Sequence, residues 1–73
     1  MRPYIVIKEI LNFRSEPSDV HESSFIGQAL KGEPLFLEER EIVGVIPRGG
    51  TTNLWLSDQH NRFVAKEGVR PQS

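Results

Sequence analysis

Leu11-Asn12-Phe13-Arg14-Ser15-Glu16-Pro17-Ser18 is the stretch on which the reading of this chain turns. An alternating apolar and polar run stops there at a polar turn that carries a proline. Side chains alternate with period two along a strand, so Leu11 and Phe13 share one side and enter a core while Asn12 and Arg14 point away. Pro17 cannot sit in a central strand. The rest of the chain reads as strands folding back onto this segment.

The 73 residues allow one small domain, spanning 1–73, with a body over about 4–69 and a short tail over 70–73. A chain of this size buries only about 60% of the surface its unfolded form exposes, so its core is a single cluster. There is no cysteine, which excludes a disulfide framework and thiolate metal sites. Nine basic and ten acidic residues give a net charge of −1 without a basic block. That balance disfavours nucleic-acid binding and a polybasic membrane contact. The apolar run Tyr4-Ile5-Val6-Ile7 is too short for a signal segment or a membrane span, so membrane insertion is not expected. Met1 fits a native start and equally a domain cut from a longer protein; the first implies the cytoplasm, the second, for an exported protein, the cell exterior or wall.

Tyr4 to Leu11 is rich in β-branched residues and reads as one strand running into the opening octet. From Arg14 to Ser24 the composition turns polar, giving a long loop of the kind that carries binding surfaces. Phe25 to Leu30 is the next strand, closed by a turn at Lys31-Gly32-Glu33-Pro34. In Leu35-Phe36-Leu37 the two leucines face one way and Phe36 the other, and Glu38-Glu39-Arg40-Glu41 is a solvated connection. Ile42 to Ile46 is a β-branched run in which Gly44 marks a bulge or bend, and a loop follows to Asn53. Leu54-Trp55-Leu56 and Phe63-Val64-Ala65 flank a polar turn as a hairpin, and the tail frays after Val69. The pattern predicts an all-β fold of five to six short strands, bent into a small barrel that closes on itself and so leaves no free edges.

In its order of motifs the chain resembles the bacterial SH3 domain family. Leu11 to Ser18 is similar to that family's opening signature, with Phe13 where valine is usual. Phe25-Ile26-Gly27-Gln28-Ala29-Leu30-Lys31-Gly32 is similar to its strand and Lys-Gly turn, and Leu54-Trp55-Leu56 to its Trp-bearing strand. Asn61 to Val69 looks like the closing strand and one-turn segment, with Phe63 where tryptophan is common. The likeness runs in order over roughly residues 10 to 69; the segment Ile42–Asn53 is longer than the family's link. It implies an SH3-like barrel with a short terminal 3-10 turn. It also implies a non-catalytic module that binds cell-wall peptidoglycan, peptide or glycan, or docks a cell-wall hydrolase domain. The alternative is a protein-interaction adaptor of cytoplasmic or phage origin. Self-association by strand pairing through Ile42–Asn53 is a further option.

The expected ligand-binding residues are Trp55, Phe63, Tyr4, Arg14 and Glu16. Trp55 lies opposite Leu54 and Leu56, so it either stands outward as a recognition platform or caps the edge of the core. Phe63 and Tyr4 carry the same two options. Arg14, Glu16 and Asp19 lie on or beside the long loop, where they contact ligand amides and carboxylates or fix the loop itself. Asn12, polar within a β run, is expected to bond backbone. No catalytic residue, metal ligand or cofactor is expected. His21 and His60 lie in separate polar loops without partners at ligand spacing. Ser57, Asp58 and His60 are crowded into one turn and cannot align as nucleophile, base and orienter. Gly49-Gly50-Thr51-Thr52 lacks the pattern of a phosphate loop.

Overall fold

The computed structural model describes residues 1–72 and has eight strands in two antiparallel sheets. The strands are β1 Arg2–Val6, β2 Ile10–Arg14, β3 Phe25–Leu30 and β4 Pro34–Leu37, then β5 Ile42–Val43, β6 Leu54–Ser57, β7 Phe63–Ala65 and β8 Val69–Pro71. Two 3-10 turns, Glu22–Ser24 and Lys66–Gly68, precede β3 and β8. One sheet has the order β4-β1-β8 and the other β3-β2-β7-β6-β5. Neither helical turn is long and apolar enough to cross a membrane.

Alternation places the core as the octet demands. Leu11 and Phe13 of β2 are buried, opposite Ala29 and Gly27 of β3, while Asn12 and Gln28 pair on the outer face. Tyr4 and Val6 from β1, Leu37 from β4, Leu56 from β6, Val64 from β7 and Val69 from β8 complete one cluster between the two sheets. Leu35 packs against it and Phe36 is exposed, as their alternation requires.

Four expectations are corrected. The strand count is eight among the described residues, because the run from Tyr4 to Leu11 is two strands in different sheets and Val69–Pro71 adds β8. Val6 is bonded to the β3–β4 turn, its N–H to the Glu33 carbonyl at 3.0 Å and its own carbonyl to the Gly32 N–H at 2.9 Å. Ile7 N–H then meets the Gly68 carbonyl at 3.0 Å, and the chain turns the corner before Ile10. The tail does not fray directly after Val69: Val69 to Pro71 pairs with Val6 to Tyr4, and Val69 is buried. The run Ile42–Ile46 is a strand only over Ile42–Val43. Finally, neither sheet closes on itself, and β3, β5, β4 and β8 end them. The sheets are stitched at one corner, where the Glu38 N–H, just past β4, meets the Ser57 carbonyl of β6 at 2.8 Å.

Candidate functional site

Beyond β5 the chain becomes a strap over the outer side of β6. Gly44 N–H bonds the Asn53 carbonyl at 2.8 Å, and Val45 N–H bonds the Pro17 carbonyl at 3.1 Å. The Val45 carbonyl accepts the Trp55 indole N–H at 2.8 Å. Gly44 is required at this crossing, because a Cβ there would overlap the Pro17 carbonyl and approach Trp55 Cδ1 to 2.9 Å. Further on, Gly50 N–H closes a turn on the Pro47 carbonyl at 2.8 Å, with Gly49 at φ +71° in the position that type II geometry reserves for glycine.

Two carboxylates anchor the strap. Asp19 of the long loop accepts the Arg48 N–H at 2.6 Å, so the two loops are tied to each other. Glu67 of the second 3-10 turn accepts both the N–H and the hydroxyl of Thr51, at 2.8 and 2.9 Å, with the Lys8 ammonium 3.9 Å away. The Thr51 N–H bond holds the Glu67 carboxyl below its ordinary value of 4.5; burial works against that, and the Thr51 hydroxyl and Lys8 reinforce it. The long loop is fixed from within, by Ser24 Oγ donating to the His21 carbonyl at 2.7 Å and Val20 N–H donating to Ser18 Oγ at 3.1 Å.

Between the tied loops and the outer face of β2 lies a hollow of about 200 Å³. Trp55, Ala65 and Pro47 give it apolar surface, Lys8, Arg14 and Arg48 bring cationic groups, and Asn12 and Asp19 add polar ones. A second hollow of about 240 Å³ lies elsewhere, lined by Arg2, Tyr4, Glu39, Glu41 and Lys66 among others. Glu41 and Lys66 pair across it at 2.7 Å. Ligand pockets for small molecules run to roughly 300–1,000 Å³, so the first hollow suits one side chain or one carboxylate of an extended ligand.

The structure brings together only part of the expected set. Arg14 and Trp55 share the first hollow; Tyr4 lines the second; Phe63 and Glu16 line neither. Trp55 is 2% exposed, so the platform reading is corrected in favour of the edge of the core. Both faces of β6 are covered, Leu56 by the main core and Trp55 by the strap and Pro17, which is how the two options for this strand came to exclude neither side. Tyr4, 6% exposed, is likewise a core residue and not a platform. Phe63 is half-buried and paired with Arg14 across the β2–β7 ladder. Arg14 reaches Ser24 Oγ at 3.4 Å and lies 5.6 Å from the Phe25 ring centroid, while its Nε is buried without a partner among the described residues. Asn12 is exposed and accepts from the Gln28 amide at 3.3 Å, a side-chain partner on the next strand in place of the expected backbone one.

Asp58 is a turn-former. Its Oδ1 accepts the N–H groups of His60 and Arg62 at 2.8 and 3.0 Å, and its Oδ2 the Arg62 guanidinium at 2.7 Å. Burial pushes its carboxyl up, yet these bonds together outweigh burial and leave it below its ordinary 3.8. The same guanidinium lies 4.3 Å from the Phe13 ring centroid. Among the described residues no group of three His, Cys, Asp or Glu is placed to hold a metal ion.

Lys8, Pro47 and Arg48 were not singled out from the sequence. Arg48 meets Asp19 across 29 residues, and nothing local in Pro47-Arg48-Gly49-Gly50 announces that contact. The excess length of Ile42–Asn53 was the available signal, because a segment that long in so small a domain must cover something. Comparison with protein-family models, with curated proteins and with solved structures finds no match to this chain.

Proposed function

We propose that this chain is a non-catalytic binding module built on a small SH3-like barrel, which takes a peptide or glycan strand of cell-wall peptidoglycan or docks a cell-wall hydrolase domain. The barrel reading is supported by the order of motifs in the sequence, by two antiparallel sheets around one core, and by the bond from Glu38 to Ser57 that joins them. The binding reading rests on one observation above the rest: two loops far apart in sequence are tied together over Trp55 to form a hollow lined by Lys8, Arg14 and Arg48. Cationic groups beside an apolar wall suit a peptide bearing free carboxylates, with Asn12 available to an amide. Trp55 serves as the wall of the hollow and not as a stacking platform.

A protein-interaction adaptor is the second reading, favoured by Val43, Val45 and Ile46, which are exposed around the strap and suit a protein partner better than a glycan. Co-sedimentation with purified peptidoglycan separates the two. The wild-type protein is expected to pellet with walls at low and moderate salt. Arg48→Glu, whose main-chain bond to Asp19 is kept, is expected to weaken pelleting by about tenfold. Absence of wild-type pelleting at both salt concentrations ends direct recognition of peptidoglycan and leaves a protein partner, a hydrolase domain or the adaptor's.

A further inference from the structure

The cationic side chains are not equally provided with partners. Five of the nine, Arg2, Lys8, Lys31, Arg62 and Lys66, have a carboxylate oxygen at 3.9 Å or less, whereas Arg14, Arg40, Arg48 and Arg70 have none among the described residues. Of those four, Arg14 and Arg48 line the first hollow, together with Lys8. Arg14 is short of hydrogen-bond partners as well: its Nη1 reaches Ser24 Oγ at 3.4 Å and its Nε is buried with none among the described residues. Asp19 also lines the hollow, but its bond is to the Arg48 main-chain N–H, which leaves the Arg48 guanidinium without a carboxylate.

The shape of the hollow follows from one small residue. Ala65 of β7 stands opposite Trp55 of β6 on the outer face of the sheet, and its methyl group leaves a dent between the indole and the outward residues of β2, Asn12 and Arg14. About 200 Å³ of space takes one short side chain and its polar neighbours. The balance of charge then limits the ligand. Lys8, Arg14 and Arg48 are opposed by Asp19 in the hollow and by Glu67 beside Lys8, which leaves an excess of one positive charge. One carboxylate neutralises that excess, whereas a dianion brings a second negative charge against Asp19.

We propose that the first hollow holds a lone carboxylate next to an amide, the group found at the end of a peptide or on its acidic side chains, and that Asp19 excludes dianions such as phosphate. This rests on the binding-module reading and names the group that the module takes. The carboxylate lies among Lys8, Arg14 and Arg48, the neighbouring amide meets the Asn12 side chain, and the short aliphatic part lies against Ala65 and the indole edge. Asp19 thus has two effects: it ties the loops through Arg48 and sets the charge that the hollow accepts.

Nuclear magnetic resonance titration of the isotope-labelled protein tests this with four probes: N-acetyl-alanine, N-acetyl-alanine amide, the α-amide of N-acetyl-glutamic acid, and inorganic phosphate at mildly alkaline pH. N-acetyl-alanine is expected to bind with a Kd of about 1 mM, as suits so few atoms, and to shift the Trp55 indole N–H and the Asn12 and Ala65 amides. The neutral amide and phosphate are each expected to bind at least about tenfold more weakly. Tighter binding of N-acetyl-alanine than of the glutamic acid α-amide assigns the carboxylate to a chain end, and the reverse order to a side chain. Asp19→Asn, which keeps an oxygen for the Arg48 N–H, is expected to raise the affinity for phosphate about tenfold. No shift with N-acetyl-alanine, equal binding of the acid and its neutral amide, or phosphate bound as tightly as the acid by the wild-type protein overturns the proposal. Co-sedimentation with walls whose carboxylates have been converted to amides separates this from the module reading. Pelleting that is equal with untreated and amidated walls overturns the carboxylate site and leaves the module standing. Pelleting with neither, while N-acetyl-alanine still shifts the hollow, removes peptidoglycan as the ligand and upholds the site.

Discussion

Gly44 shows how one missing side chain sets the form of the site. The strap reaches Trp55 only because the backbone at Gly44 lies against Pro17 and the indole, with no room for a methyl group. Gly44→Ala pushes against main chain at Pro17 and cannot be relieved by rotating a side chain. It is expected to cost about 2 kcal/mol in urea unfolding. Trp55→Ala removes the indole that the strap covers and is expected to cost about 3 kcal/mol or more in the same measurement, since a large buried ring leaves a cavity that the neighbours fill poorly. Unchanged stability in Trp55→Ala would return the ring to the outward position. Asp58 and Glu67 govern the response to acid. Both carboxyls are held below their ordinary values, 3.8 and 4.5, so the unfolded chain binds protons more readily than the folded one and stability rises with pH through their titration. Their contribution is complete above those ordinary values and is lost as pH falls through the lowered folded ones. Asp58→Asn is expected to cost about 2 kcal/mol at neutral pH, from the lost charge-assisted bonds, and to flatten the acid limb of a stability–pH curve. An acid limb as steep as that of the wild-type protein would assign the proton linkage to other groups.

At the scale of elements, what could be read in the sequence divides along local and distant contacts. β3 falls on the expected Phe25–Leu30, and the β6–β7 hairpin stands where the pattern puts it, because each follows from alternation and turn residues a few positions apart; the 3-10 turn at Lys66–Gly68 is instead what the family resemblance implies. The break between β1 and β2 was also written in the chain, though read through. Inward residues are even-numbered at Tyr4 and Val6 and odd-numbered at Leu11 and Phe13, and a single regular strand cannot change parity. β8 was missed for a different reason: Val69-Arg70-Pro71 has almost no strand signal of its own and is held by β1 from across the molecule. The hollow was half legible. Arg14 and Trp55 were found from residue type and loop position, whereas the strap that joins them to Lys8 and Arg48 depends on Asp19 and Glu67, both distant in sequence. Glu67→Ala therefore acts on one element. It is expected to speed amide exchange at Thr51 by roughly tenfold and to leave exchange at Leu56 nearly unchanged, because the strap can lift while the core ladder stays closed. Equal acceleration at both amides would mean that strap and core open as one unit.

The whole molecule has little stability in reserve, and its last strand tests how that reserve is shared. A domain of this length is held by a net free energy on the order of 5 kcal/mol. β8 contributes more than its three residues suggest. It buries Val69 in the common core, pairs with Val6 to Tyr4, and is followed by the Gln72 N–H bonded to the Pro3 carbonyl at 3.1 Å. Ending the chain at Gly68 withdraws Val69, worth about 1.5–2 kcal/mol of burial, and opens one side of β1, whose Tyr4 and Val6 carry the core across to the second sheet. Three-stranded β4-β1-β8 then becomes a two-stranded antiparallel ribbon, which has little stability by itself. Such a chain is expected to lose more than half of its unfolding free energy and to melt without a sharp transition. Deleting only Gln72 and Ser73 is expected to leave it within about 1 kcal/mol of the full chain, since among the described residues that removes one main-chain bond, from the Gln72 N–H to the Pro3 carbonyl. A chain ending at Gly68 that unfolds as cooperatively as the intact protein, with the same midpoint in urea, would show that one sheet carries the fold and that the second merely leans on it.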